Sequence, residues 1–198
     1  MMKKLLLLLF SLFVLLFSSS VVADDISDFE IEGISIEDSL LDYMTEDEIM
    51  SNKINYFSDE RQYYVVHSGN LKLKNFDSIE FYLKTNDNKF IIKYFTSFIF
   101  YLHNFDDCKI KKQEIVSDIK SVLSDANMVD DGTFPHWYDK SEKSIANRIN
   151  FYIGSDYVSV ECIMWSKEIK NENPTWADNL GLIVGTDEVM QWVAGDYK

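Results

Sequence analysis

The sequence predicts an α+β fold, an antiparallel sheet with helices packed on one face, built as two helix-then-three-strand units. Three observations predict it. Ser78 to Lys84 alternates apolar and polar residues, with Ile79, Phe81 and Leu83 on one face and Glu80, Tyr82 and Lys84 on the other. Gly154-Ser155-Asp156 separates two β-rich runs, a strong hairpin signal. Helical spacing opens each half: Ile36, Leu40, Tyr43 and Met44 in the first, Ile115, Val116, Ile119, Val122 and Leu123 in the second.

The N-terminus is read as a secretory signal peptide over residues 1–23. Lys3 and Lys4 precede an apolar run from Leu5 to Phe17, and Val21-Val22-Ala23 forms a small-residue cleavage site. An uncleaved anchor is the competing reading, but Ser18-Ser19-Ser20 interrupts the run short of the roughly 20 apolar residues that span a bilayer. Cleavage after Ala23 leaves 175 residues with 17 basic and 33 acidic side chains, a net charge of −16. Such a surface repels phosphate backbones and anionic lipid heads, which disfavours nucleic-acid and anionic-membrane binding.

Carboxylates crowd the stretch from Asp24 to Glu48, eleven in twenty-five residues. A cation site is one reading and helix punctuation the plainer one. Ser35 with Asp38 approximates a capping box, and Thr45-Glu46-Asp47-Glu48 is a complete one, with Met44 and Ile49 as its hydrophobic staple. Two short consecutive helices are expected there. Strands follow at Tyr63 to His67, Ser78 to Lys84 and Phe90 to Leu102, the second and third separated by the turn residues Asn86-Asp87-Asn88. This first unit occupies residues 24–104.

The second unit, residues 105–198, opens with an amphipathic helix from about Asp107 to Asp125. A polar stretch from Ala126 to Ser144 is read as a long connection. Strands are expected at Ile145 to Ile153, Tyr157 to Trp165 and Leu180 to Thr186, and Thr186-Asp187-Glu188 caps a final helix ending near Gly195. Cys108 falls in the first turn of the second unit's helix. Cys162 shares a strand face with Val158, Val160 and Met164. If that helix packs on that sheet, the two cysteines meet, and a disulfide between them suits an exported chain.

Chemistry-bearing motifs are sparse. No HExxH, G-x-S-x-G, Walker A or dinucleotide glycine pattern occurs. His103 with Asp106 and Asp107 offers metal-ligand residue types, but an aspartate there more simply caps the next helix. His67 reads as an ordinary strand residue, and Trp165, Trp176 and Trp192 as core or rim aromatics. The stretch Asp130 to Ser141 stands out because long ordered connections often bind. It supplies Asp130, Asp131, His136, Trp137, Tyr138 and Asp139 as candidate binding residues. Tyr and Trp are favoured interface anchors, whereas the plainer reading has Phe134 and Trp137 folding back over a sheet edge or the core. No catalytic set, metal ligand set or cofactor is assigned.

Glu32-Gly33-Ile34-Ser35 running into Leu40-Leu41, then a second short helix and three strands, resembles the helical-hairpin-plus-sheet modules of BamE-like and beta-lactamase-inhibitor-protein-like families. The resemblance covers Phe29 to Leu102, and the second half only in outline; the Leu-Gly-x-Pro that often closes the helical segment is missing. It implies a periplasmic interaction or scaffold module. The first expectation is therefore a periplasmic or secreted, non-enzymatic protein with a protein or envelope-component partner. The alternatives are a small hydrolytic or metal-dependent enzyme using His136 with Asp130, Asp131 or Asp139, and a small-ligand carrier with a pocket between sheet and helices. Oligomeric state stays open.

Overall fold

The computed structural model describes residues 26–54, 62–101 and 104–196. The proposed leader and His103 lie outside them. Thr45 caps a short helix, α1 (Glu46–Ser51), with the full capping box in place: Thr45 Oγ1 accepts from the Glu48 N–H and Glu48 accepts from the Thr45 N–H. Met44 and Ile49 are both buried beneath it. Four strands follow, β1 (Lys53–Ile54), β2 (Tyr63–His67), β3 (Ser78–Lys84) and β4 (Ile92–Phe100). Then come α2 (Phe105–Val122), β5 (Asn127–Pro135), β6 (Ile145–Ile153), β7 (Asp156–Met164), α3 (Lys167–Glu172), β8 (Asn179–Gly185) and α4 (Asp187–Asp196).

The class is α+β, but the expected pair of helix-then-three-strand units with helices on one face is overturned. All eight strands form one antiparallel sheet, in the order β1-β2-β3-β4-β8-β7-β6-β5. Seven residue pairs, from Tyr94 opposite Gly185 to Phe100 opposite Asn179, join β4 to β8 at its centre. Had the halves stayed separate, each would present an unpaired apolar edge, and pairing them removes both. Helices cover both faces. On one, α2 lies over β7 and β8, and Val116 and Ile119 share a core with Phe81, Phe95, Val160 and Leu182. On the other, Val189 of α4 packs with Tyr63, Val65, Tyr94 and Tyr157.

Two further expectations change for identifiable reasons. The first predicted helix, opened by Ser35, shrinks to a single 3-10 turn, Leu40–Asp42, whose cap is Ser39. Glu37 takes a positive φ of 70°, and the chain around it hydrogen-bonds to β4 instead: Glu37 N–H donates to the Ile92 carbonyl at 2.8 Å. Tertiary pairing outweighs the local helical pattern. Secondly, the polar stretch from Ala126 to Ser144 is not one long loop, since β5 takes about its first half. As an edge strand exposed along most of its length, β5 needs no apolar alternation, so no period-two signal marks it.

The acidic N-terminal stretch builds structure. Glu32 and Gly33 form a tight turn, both at positive φ, between the bridged Ile31 and Ile34. The Glu32 carboxylate then accepts from the Lys74 and Asn75 N–H groups, each at 2.8 Å, tying a distant loop to this turn. Glu37 pairs with Lys93 at 2.7 Å, and Asp38 accepts from the Ser35 N–H and the Tyr43 hydroxyl. No group of three or more metal-ligating side chains gathers among the described residues.

Cys108 of α2 and Cys162 of β7 form a disulfide with Cα atoms 6.0 Å apart. Both are buried in the helix-covered core. The helix cap differs from expectation: Asn104, not Asp106 or Asp107, accepts from the Asp107 N–H. No described helix is long and apolar enough to cross a membrane.

Candidate functional site

Strand alternation fixes what the α4-covered face offers. Arg148 and Asn150 of β6, Tyr157, Ser159 and Glu161 of β7, Ile183 of β8 and Tyr94 of β4 all point to that side, since their neighbours Ile149, Val158, Val160 and Leu182 enter the opposite core. Cross-strand register arranges them in rows: Arg148 opposite Glu161, and Asn150 opposite Ser159 opposite Ile183. A third row runs from Tyr157 through Gly185 to Tyr94 and Tyr82. Gly185 is a spatial requirement. A Cβ there would lie 2.4 Å from Cδ2 of Tyr94.

Between this surface, Met190 and Val193 of α4, and the loop carrying His136, Trp137 and Lys140, a cleft of about 700 Å³ opens. Its walls are mainly apolar, with a few convergent polar groups, the composition of a small-molecule site. Arg148 holds Glu161 through one N–H at 2.9 Å, and Phe134 stacks on the guanidinium at 5.1 Å. Burial pushes the Glu161 carboxyl up, against the pull of Arg148. Ser159 is 2% exposed and its hydroxyl has no hydrogen-bond partner within the protein. Burial and the neighbouring Tyr94 hold the Tyr157 phenol well above its usual value.

His136 is buried at one end of the cleft, edge-on to Trp165 with centroids 4.5 Å apart. Burial, and next the Arg148 charge, lower its pKa to about 4, so it is neutral at physiological pH. Its Nδ1 accepts from the Tyr138 N–H at 3.3 Å. In the neutral ring the proton therefore resides on Nε2, which makes that atom a donor.

The sequence-nominated residues separate into two groups. His136 and Trp137 line the cleft, Trp137 with 46% exposure at its mouth. The others support the architecture. Asp130 accepts from the Gly132 N–H across a β-bulge, and Asp131 accepts from the Asn150 side chain at 2.9 Å. Asp139 is buried, its oxygens taken by the N–H and hydroxyl of Ser141 and of Ser144, and these bonds hold its carboxyl far below the usual range. Tyr138 packs against Trp176 at 4.9 Å, and Trp165 against the same Trp176 at 4.7 Å, so these aromatics brace the His136 loop. Phe134 belongs to β5 itself and stacks on Arg148, rather than folding back over a sheet edge or the core.

Sequence reasoning missed Arg148, Glu161, Ser159 and Tyr157. Their one signal is polar residues recurring on the outward face of two otherwise apolar strands, the ordinary pattern of a sheet with one solvated face. Comparison with known proteins finds no matching family model, no matching curated protein and no matching solved structure.

Proposed function

We propose that this chain is an exported binding protein that holds one small amphipathic ligand between its sheet and α4. The cleft carries the reading: about 700 Å³ of mainly apolar space, with the Arg148 guanidinium and the His136 ring among the few polar groups of its lining. Binding fits better than catalysis. His136 offers the cleft an N–H rather than a basic lone pair, and Asp130, Asp131 and Asp139 are occupied elsewhere. Export is supported by Lys3-Lys4, the apolar run and Val21-Val22-Ala23, together with the buried disulfide. Intact mass of secreted protein should correspond to a chain beginning at Asp24; retention of residues 1–23 in a membrane fraction would contradict export with cleavage.

The test of binding is saturable uptake of the neutral dye N-phenylnaphthylamine by the mature chain. Val193→Trp fills the cleft from α4 rather than from the sheet, and should abolish uptake while far-UV circular dichroism is unchanged. Uptake that never saturates, or that Val193→Trp leaves intact, refutes the reading. A protein or envelope-component partner, the first expectation from sequence and from the BamE-like and beta-lactamase-inhibitor-protein-like resemblance, retains one supporting observation, the half-exposed Trp137 at the cleft mouth. Trp137→Ala would then weaken capture of an envelope component, whereas Val193→Trp, which fills the cleft, would leave that capture intact.

A further inference from the structure

The charges in the cleft wall are opposite in balance to those of the chain. The protein carries −14 overall, yet the cleft is lined by Arg148 and Lys140 against a single acid, Glu161. Glu161 takes one guanidinium N–H at 2.9 Å, a one-point contact that leaves the rest of the five-donor fork for another acceptor. A further donor lines the same space, the Nε2–H of His136, while the hydroxyls of the lining residues Ser159 and Tyr157 are themselves covered. Carbon surfaces make up much of the remaining lining, Ile183 and the Tyr94 ring beside these groups on the sheet and Met190 and Val193 on α4. A ligand matched to this wall has a compact anionic acceptor at one end and an apolar body at the other.

Resting on the proposed binding function, we infer that the ligand is a monocarboxylate with an apolar chain or ring. Its carboxylate is received by Arg148, with the His136 N–H as a further donor, and its body lies under Met190 and Val193. A carboxylate suits the planar guanidinium fork, and charge-assisted hydrogen bonds are about twice as strong as neutral ones. A cationic ligand would have to face Arg148 and Lys140. A neutral one would leave the guanidinium's remaining donors unmatched in a partly dry site.

The experiment displaces bound N-phenylnaphthylamine from the mature protein with two acid–alcohol pairs, decanoate with decanol and naphthoate with naphthol. At least one acid should compete about tenfold or more better than its alcohol, and the stronger acid identifies chain or ring as the body. Decyltrimethylammonium should compete worse than decanol. The double variant Arg148→Gln/Glu161→Gln removes the ion pair as a unit and should bring acid and alcohol within about twofold to threefold of each other, each ratio taken against that variant's own dye affinity. Equal competition by acid and alcohol at the wild-type protein overturns the inference and leaves the binding function standing. Preference for the acid that survives in the double variant also overturns it, by removing Arg148 from the recognition. Failure of the dye to bind at all refutes both.

Discussion

His136 stays neutral because its ring is buried beside Arg148 and Trp165, and its folded pKa of about 4 has a consequence for stability. An exposed histidine titrates near 6.5, so between about 4 and 6.5 the unfolded chain binds a proton that the folded chain does not. The contribution is complete above about 6.5 and lost as the pH falls toward 4. Wild-type melting temperature should therefore drop more steeply across that window than that of His136→Gln. The difference between the two profiles isolates this ring from Asp139 and Glu161. The His136 ring signal in NMR should titrate with a midpoint near 4, and a midpoint near 6.5 would place it in water. Gly185 makes a second residue-scale prediction. Gly185→Ala forces a methyl against Tyr94 and should cost about 1–3 kcal/mol in urea unfolding, with weakened dye uptake as Tyr94 shifts. Gly181→Ala, whose Cβ would meet Thr96 at an ordinary 3.5 Å, should change stability by no more than about 0.5 kcal/mol. Equal effects at the two glycines would contradict this account of the third row.

At the scale of elements, the disulfide is the firmest tie between helix and sheet. It joins α2 to β7 across a sequence separation of 54. The chain-entropy estimate for such a loop is about 4 kcal/mol, and each kcal/mol moves the melting temperature of a chain this size by about 2–4 °C. Cys108→Ala/Cys162→Ala should therefore melt roughly 8–16 °C lower, and a loss under a few degrees would show that packing alone fixes α2. Both cysteines and their meeting were legible from sequence because one lies on a periodic helix face and the other on an alternating strand face. The capping box at Thr45 was legible for a similar reason, being a contact within four residues. The edge strand β5 was not, because solvent on both sides imposes no hydrophobic period. Nor was α3, six residues long with one buried side chain, Ile169.

For the whole molecule, the β4–β8 pairing makes one cooperative unit of what reads in sequence as two. Leu40, Phe81 and Phe95 from the first half share a core cluster with Val116, Val160 and Leu182 from the second. Thermal unfolding of residues 24–198 should be a single transition with calorimetric and van't Hoff enthalpies in a ratio near one. Tyrosine and tryptophan fluorescence should follow the same curve as far-UV circular dichroism. Two resolved transitions would mean that the halves are independent after all. Residues 24–104 or 105–198 expressed alone should aggregate, because each fragment exposes β4 or β8 as an open apolar edge.

Sequence by itself determined what depends on near neighbours: the alternation of β3, the β6–β7 hairpin around Gly154, the Thr45 cap and the amphipathic stripe of α2. It also drew attention to His136 and Trp137, because a histidine and three aromatics in an unpatterned stretch invite a question. Only the tertiary structure decided which face each polar residue of β6 and β7 meets, and what covers it. Arg148 and Glu161 are thirteen residues apart and would read as an exposed cross-strand pair. They become the floor of a cleft because α4, from the far end of the chain, closes over their side of the sheet. A pattern of two tells which residues share a face. Whether that face meets water or a helix depends on contacts between distant segments, and those carry no local period.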